Sequence, residues 1–245
     1  MRNEQMRGLI TAIRTLTIFK VPGEHTAGMA NSLPYFPLIG GVLGIMTVGV
    51  AMLLGRMTAW HTGIGIVCVG FSALVTGGMH LDGLADVFDS LGGRTVERRL
   101  EIMKDSSIGS FGAAALLLVL VAKVAAIAQI AGQGRLIWLI VPFVVSRLVQ
   151  VQLIVSLPYA RAEGGLGKGF VEGAKVYHFV LAFIIAFLLC LTWGGLGGMV
   201  LVCGVFLLCH ALAFWMRRMF GGVTGDLIGM GSELAETGVL MFMAF

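Results

Sequence analysis

Charge is scarce in this chain. Only 12% of its 245 residues are Asp, Glu, Lys or Arg, about half the share of a soluble domain, while 58% are hydrophobic and the mean hydropathy is +0.95. A solvated globular surface is thereby excluded, and the chain reads as an integral membrane protein. The four cysteines, Cys68, Cys190, Cys203 and Cys209, all fall inside apolar runs, so no extracellular disulfide framework is expected. His25, His61, His178 and His210 lack any spacing with one another or with cysteine that suits zinc. There is no GxSxG, no CxxC and no GxGxxG after a strand. No repeat, low-complexity tail or linker divides the sequence, so residues 1–245 are expected to form one membrane domain.

Long apolar runs occupy about 33–55, 62–79, 110–131, 136–157 and 178–216, with a weaker one from about 224 to the C-terminus. The run at 178–216 is long enough for two helices of about 20 residues, joined at Gly194, Gly195, Gly197 and Gly198. The expected fold is therefore all-α: a polytopic membrane bundle of about seven transmembrane helices. The 36 glycines suit this class, because small residues let bilayer helices approach closely, as Gly40 and Gly44 at GxxxG spacing would. Residues 1–32 begin with Arg2, Arg7, Arg14 and Lys20 interleaved with apolar residues at helical spacing. This is an amphipathic surface helix rather than a signal peptide, suited to the headgroup level or to packing on the bundle.

Basic residues are distributed unevenly around these spans. Thirteen of the 17 lie in the N-terminal segment, the loops at 80–109 and 158–177, and Arg217 with Arg218; only Arg56 and Arg135 lie on the other side. Lys and Arg are retained in the cytoplasm, so the N-terminus and long loops are expected there. The formal charge of +4 is accounted for by this topology and needs no nucleic acid.

The acids are concentrated too. Four of the five aspartates, Asp82, Asp86, Asp89 and Asp105, stand in "GGMHLDGLADVFDSLGGRTVERRLEIMKDSSIG", residues 77–109. If the second span continues as a helix past Gly78, Asp82, Asp86 and Asp89 fall at i, i+4 and i+7, within about 60° on one face. Three like charges near a membrane call for a cation. Magnesium suits carboxylates together with water and substrate phosphates, and carboxylates at this spacing are also suited to bridging two such ions against a diphosphate. His80 and Asp105 are then candidates for a proton acceptor or further ligands. The alternative is a solvated loop whose acids pair with Arg94, Arg98, Arg99 and Lys104.

Arg147 stands near the middle of a span and requires an anionic partner, either a phosphate or a carboxylate. Lys123 raises the same question nearer a span edge, where it can snorkel. In "PYARAEGGLGKGF", 158–170, Arg161 and Lys168 accompany glycines whose N–H groups suit phosphate oxygens, although a simple turn explains the stretch equally well. In "GGVTGDLIGMGSELAETG", Asp226 and Glu233 are seven apart, placed to complete a metal site or bind sugar hydroxyls; a helix N-terminal acid is the plainer account of Asp226.

Taken in order, "GGMHLDGLADVFDS", "LEIMKDSSIGSFG", "PYARAEGGLGKGF" and "GGVTGDLIGMGSELAE" resemble the cobalamin synthase family, the adenosylcobinamide-GDP ribazoletransferases, over essentially the whole chain. "TLTIFKVP" and "YFPLIGGVLG" are similar to that family's N-terminal pattern, while Ser107 stands where it often has a basic residue. The resemblance implies a magnesium-dependent transfer late in cobalamin biosynthesis. The 3′-hydroxyl of α-ribazole, or of its 5′-phosphate, attacks the cobinamide-linked phosphorus of adenosylcobinamide-GDP and releases GMP. It implies Asp82, Asp86 and Asp89 as metal ligands, Asp105 as ligand or base, and His80 as a base. Lys104, Arg147, Arg161 and Lys168 are implied as phosphate or nucleotide contacts, with Asp226 and Glu233 completing the site. Assembly with itself or with other late enzymes of the pathway is left open. The rival readings are a CDP-alcohol phosphotransferase, which "DGLAD" faintly resembles, and a transporter gated by Arg147 and Lys123.

Overall fold

Apolar periodicity gives way to helix almost everywhere. The computed structural model describes residues 2–165 and 167–245; Leu166, inside the glycine-rich stretch, and Met1 lie outside the described residues. Helix α1 is Arg2–Leu16, and a 3-10 turn at Met29–Tyr35 leads into α2, Phe36–Gly55. Then follow α3 (His61–Val75), α4 (Met79–Ser90), α5 (Val96–Ile102) and α6 (Ser110–Gly132). A second 3-10 turn at Leu136–Leu139 opens α7 (Ile140–Ser156), which precedes α8 (Lys168–Gly173), α9 (Val176–Phe220) and α10 (Gly225–Ala244). Among the described residues there is no strand, and the one β-type contact is a bridge between Tyr159 and Val223.

Helix α7 is the axis of the bundle. It is buried on every side from Ile140 to Ile154, its few polar residues included, as expected of a helix surrounded by others. Helices α2, α9 and α10 pack around it. The α2 contact is as close as the GxxxG spacing implies: a Cβ at Gly40 would overlap the Phe143 carbonyl, and one at Gly44 would stand 2.7 Å from the Ile140 Cα. Helix α1 packs on the bundle through Ala12 and Leu16, both buried. Arg7 pairs with Glu4 and Glu24 on its outer side.

Five helical segments are long and apolar enough to cross a bilayer, or six if the bent α3–α4 pair is counted. Helix α9 spans 45 residues, about 68 Å at 1.5 Å per residue, but it folds back on itself at Gly195, whose φ of 58° and ψ of −149° are not helical. Phe206 stacks on Phe179 at 5.7 Å between ring centroids, and a Cβ at Gly198 would overlap the Cys190 carbonyl. Those contacts require an antiparallel hairpin, so the expected pair of helices joined at the glycines is present.

One expectation needs correction. The second span does not continue straight past Gly78. Gly77 and Gly78 both adopt left-handed conformations, φ 66° and 69°, and α4 leaves α3 at 92°. L-residues with a Cβ rarely take that conformation, so this glycine pair turns the chain off the span axis. The three aspartates nonetheless stay on one uninterrupted helix, α4.

Candidate active site

One end of the bundle collects α4, α5, the 158–165 stretch, and the turn between α9 and α10. Helix α4 crosses the first turns of α10 closely: a Cβ at Gly83 would lie 2.7 Å from the Asp226 Cα. The 158–160 segment is held beside it by the Val223 N–H donating to the Pro158 carbonyl at 2.8 Å, and the Ala160 N–H to the Val223 carbonyl at 2.9 Å. Arg99 Nη1 donates to the Met219 carbonyl at 2.9 Å and ties α5 to the same place. Helix α10 starts there because Thr224 caps it, its hydroxyl accepting from the Leu227 N–H.

On this platform Asp82 is exposed and Asp86 half-buried, one helical turn apart on α4. Burial, followed by the neighbouring Asp82 and Asp226 carboxylates, pushes Asp86 up to about 6, against the opposing pull of Arg161. Arg161 reaches across to α10 and donates to Asp226 Oδ2 at 2.8 Å. Lys104 pairs with Glu163 at 2.5 Å, and Lys168 lies 3.6 Å from Glu172. Arg161 and Lys168 also line a cavity of about 440 Å³, whose floor is Ile154, Val155, Leu157 and Val171. The acidic helix and the two cationic stretches, far apart in sequence, are thus neighbours.

Other expected residues are engaged differently or stand elsewhere. Asp89 is half-buried, and both its oxygens accept backbone N–H groups at the start of α6. Asp105 is exposed, and its carboxylate accepts the Ser107 N–H at 2.9 Å in a local turn. His80 lies about 160° around α4 from Asp82, facing inward, where its Nε2 meets the Gln150 amide at 2.9 Å. No cluster of three or more His, Cys, Asp or Glu side chains able to hold a metal ion is present among the described residues.

Arg147 and Glu233 are likewise withdrawn from the surface, into a buried ionic group between α6, α7 and α10. Lys123 donates to Glu233 and, at 2.8 Å, to Glu236. Arg147 lies 3.7 Å from Glu236 and donates to Ser146 and Ser232 at 3.0 Å each. Of the two partners expected for Arg147, the structure supplies the carboxylate. Lys123 does not snorkel, being 4% exposed, because its two carboxylates lie in the interior with it. The space between these groups, about 10 Å³, is at the lower limit for a single water, and two cations and two anions close it.

Sequence reading missed Glu236 as the centre of this group. The signal was present: Lys123 and Arg147 are two cations inside spans, and the last span holds Glu233 and Glu236 one turn apart. It also missed the platform role of Gly83, which has no signal beyond the residue type.

The description cobalamin-5-phosphate synthase belongs to a family whose sequence model matches residues 8–244. A Chlorobium phaeobacteroides (strain BS1) protein named adenosylcobinamide-GDP ribazoletransferase is 41% identical, over 94% of each chain. Proteins of the same name from Chlorobium chlorochromatii (strain CaD3) and Roseiflexus sp. (strain RS-1) are each 39% identical, covering 95% and 92% of this chain and 93% and 84% of their own. No solved structure matches the chain.

Proposed function

Since the chain belongs to the cobalamin-5-phosphate synthase family, we propose that its α4 platform carries out the adenosylcobinamide-GDP ribazoletransferase reaction. The substrates are adenosylcobinamide-GDP and α-ribazole or its 5′-phosphate. The acceptor's 3′-hydroxyl attacks the cobinamide-linked phosphorus, GMP departs, and the cobalamin nucleotide linkage is formed. The observation that supports this placement is the meeting of Asp82 and Asp86 with Arg161, Lys104 and Lys168 at one end of the bundle. Phosphoryl transfer asks a protein chiefly to position reactants and neutralise charge.

Magnesium fits the donors present. Asp86 carries an excess of neighbouring negative charge, which a cation would relieve. The ion commonly binds through one or two carboxylates plus water and substrate phosphates, a donor set that successive turns of α4 can offer. Asp82 and Asp86 are the residues to hold it. When bound, it supplies charge neutralisation at the diphosphate.

The chain's cations do the rest. Lys104 and Glu163 form an exposed pair of the kind worth about 0–1 kcal/mol, so Lys104 is readily surrendered to a phosphate oxygen. Arg161, fixed by Asp226, is close enough to Asp86 for its charge to act on that carboxyl, and Lys168 lines the same cavity as Arg161. The apolar floor there suits an aromatic base, while the cationic rim suits its phosphate. The count of basic residues on the two sides, 13 against two, supports placing this end in the cytoplasm of a bacterial inner membrane, where both substrates are soluble.

The test is GMP release by detergent-purified protein given adenosylcobinamide-GDP and α-ribazole 5′-phosphate, with magnesium or with chelator, beside Asp82→Ala. Turnover that requires both substrates and the metal, and is absent from a folded Asp82→Ala, is expected. A folded wild-type protein without turnover would overturn the reading.

A further inference from the structure

The third aspartate of α4 is engaged differently from the other two. Asp89 Oδ2 accepts the Gly109 N–H and Oδ1 the Gly112 N–H, both at 2.8 Å. Gly109 is the N-cap of α6, with the extended backbone that position needs (φ −93°, ψ 178°) and no capping side chain of its own. Gly112 is N3. In a capping box, the N-cap side chain accepts from the N3 N–H and the N3 side chain accepts from the N-cap N–H. Here both positions are glycine, and one carboxylate from another helix serves both donors.

The two glycines leave the space this requires. A Cβ at either would overlap the Asp89 carboxylate, and one at Gly112 would also stand 2.8 Å from the Ala85 carbonyl. The charge is favourably placed as well, because a helix N-terminus attracts anions.

We infer that Asp89 is a positioning residue: it caps α6 from α4 and thereby fixes the rotation of the face that bears Asp82 and Asp86. The three residues share one face within about 60°, so anchoring the last turn of α4 sets where the first two turns aim their carboxylates. A metal-ligand role, the one its place in the acidic motif suggests, would have to share two oxygens that each already accept an N–H.

The role in turnover rests on the proposed transferase reading; the cap does not, and the two are separable. Amide hydrogen exchange of full-length protein in nanodiscs, without substrate or metal, is measured for wild type, Asp89→Asn and Asp89→Ala. Loss of a cap is expected to speed exchange in the first turn of α6 about tenfold in Asp89→Ala, with Asp89→Asn between, since its amide oxygen can still accept one N–H. In the turnover assay, kcat is expected to fall in the same order, and excess magnesium or manganese leaves the loss in place. Exchange of α6 unchanged in both variants would overturn the cap. Turnover restored by excess metal would make Asp89 a ligand and overturn the positioning role. Should wild type itself show no turnover, the exchange result still decides the cap.

Discussion

Replacing Lys123 by Met removes the one ammonium that serves two buried carboxylates. Lys123 donates to Glu233 and Glu236, while Arg147 reaches only Glu236, at 3.7 Å. The variant therefore strands Glu233 and leaves a net negative charge in a space of about 10 Å³ walled partly by Leu81, Leu120 and Phe143. At most one water has room to enter and solvate it. Breaking a buried pair by removing one partner costs about 3–5 kcal/mol. At about 2–4 °C per kcal/mol for a chain of this length, the melting temperature should fall by roughly 6–20 °C. Thermal unfolding in detergent, followed by the fluorescence of the four tryptophans, measures it. Lys123→Met/Glu233→Gln removes one charge of each sign and keeps Arg147 with Glu236, so it should recover more than half of the loss. A single variant melting within about 2 °C of wild type, on the same scale, would refute the reasoning, as would a double variant no more stable than the single.

Asp82→Ala and Asp86→Ala should each lower turnover by about a hundredfold or more with little change in melting, because their side chains stand at the surface or half-buried; a melting loss to match would mean a structural role instead. Asp86, pushed up to about 6, is protonated as pH falls through that value, and protons compete with metal for the carboxylate. The magnesium needed for half-maximal turnover should accordingly rise between pH 7 and pH 5, and a flat requirement would count against Asp86 as a ligand. Gly40→Ala should cost about 1–3 kcal/mol by driving α2 off the Phe143 carbonyl, whereas Gly49→Ala meets nothing within 4 Å and should be neutral or stabilising in a melt. Cysteine placed at Ser107 should react with a membrane-impermeant maleimide only in opened cells, and cysteine at Thr58 in intact ones once the outer membrane is permeabilised; the reverse pattern would invert the topology.

Much of this architecture was legible because hydropathy and helix share one length scale. The runs at 33–55, 110–131 and 136–157 became α2, α6 and α7, and the glycines at 194–198 marked the hairpin within α9. Gly77 and Gly78 escaped because glycine is common inside membrane helices, and only the sign of φ separates a tolerated glycine from a turn. At the site, the i, i+4 relation of Asp82 and Asp86 was readable from spacing alone. The function of Asp89 was not: its partners are two main-chain N–H groups at glycines, which leave no charge or pattern in the sequence to pair with it. Arg147 showed its need for an anion, but whether a phosphate or a carboxylate supplied it depended on how α10 packs against α6 and α7.

These hidden contacts share an element. Helix α6 holds Asp89 at its first turn and, about 16 Å further along its axis from Gly112, holds Glu233 and Glu236 through Lys123. Asp89 belongs to α4, which bears Asp82 and Asp86; the two glutamates belong to α10, whose first turn bears Asp226 and through it Arg161. The acidic and cationic sides of the platform are therefore both hung from one apolar helix that carries none of the reactive groups. Ion pairs in a low-dielectric interior are directional and hard to exchange for water, so they suit holding a register better than raising stability. Helices α4 and α10 also touch directly where Gly83 meets Asp226, which closes the triangle. A shift of α6 would move both sides of the site at once; its Lys123 anchor lies where solvent cannot compete for it, while its Asp89 anchor is half-buried and doubled, one carboxylate holding two N–H groups.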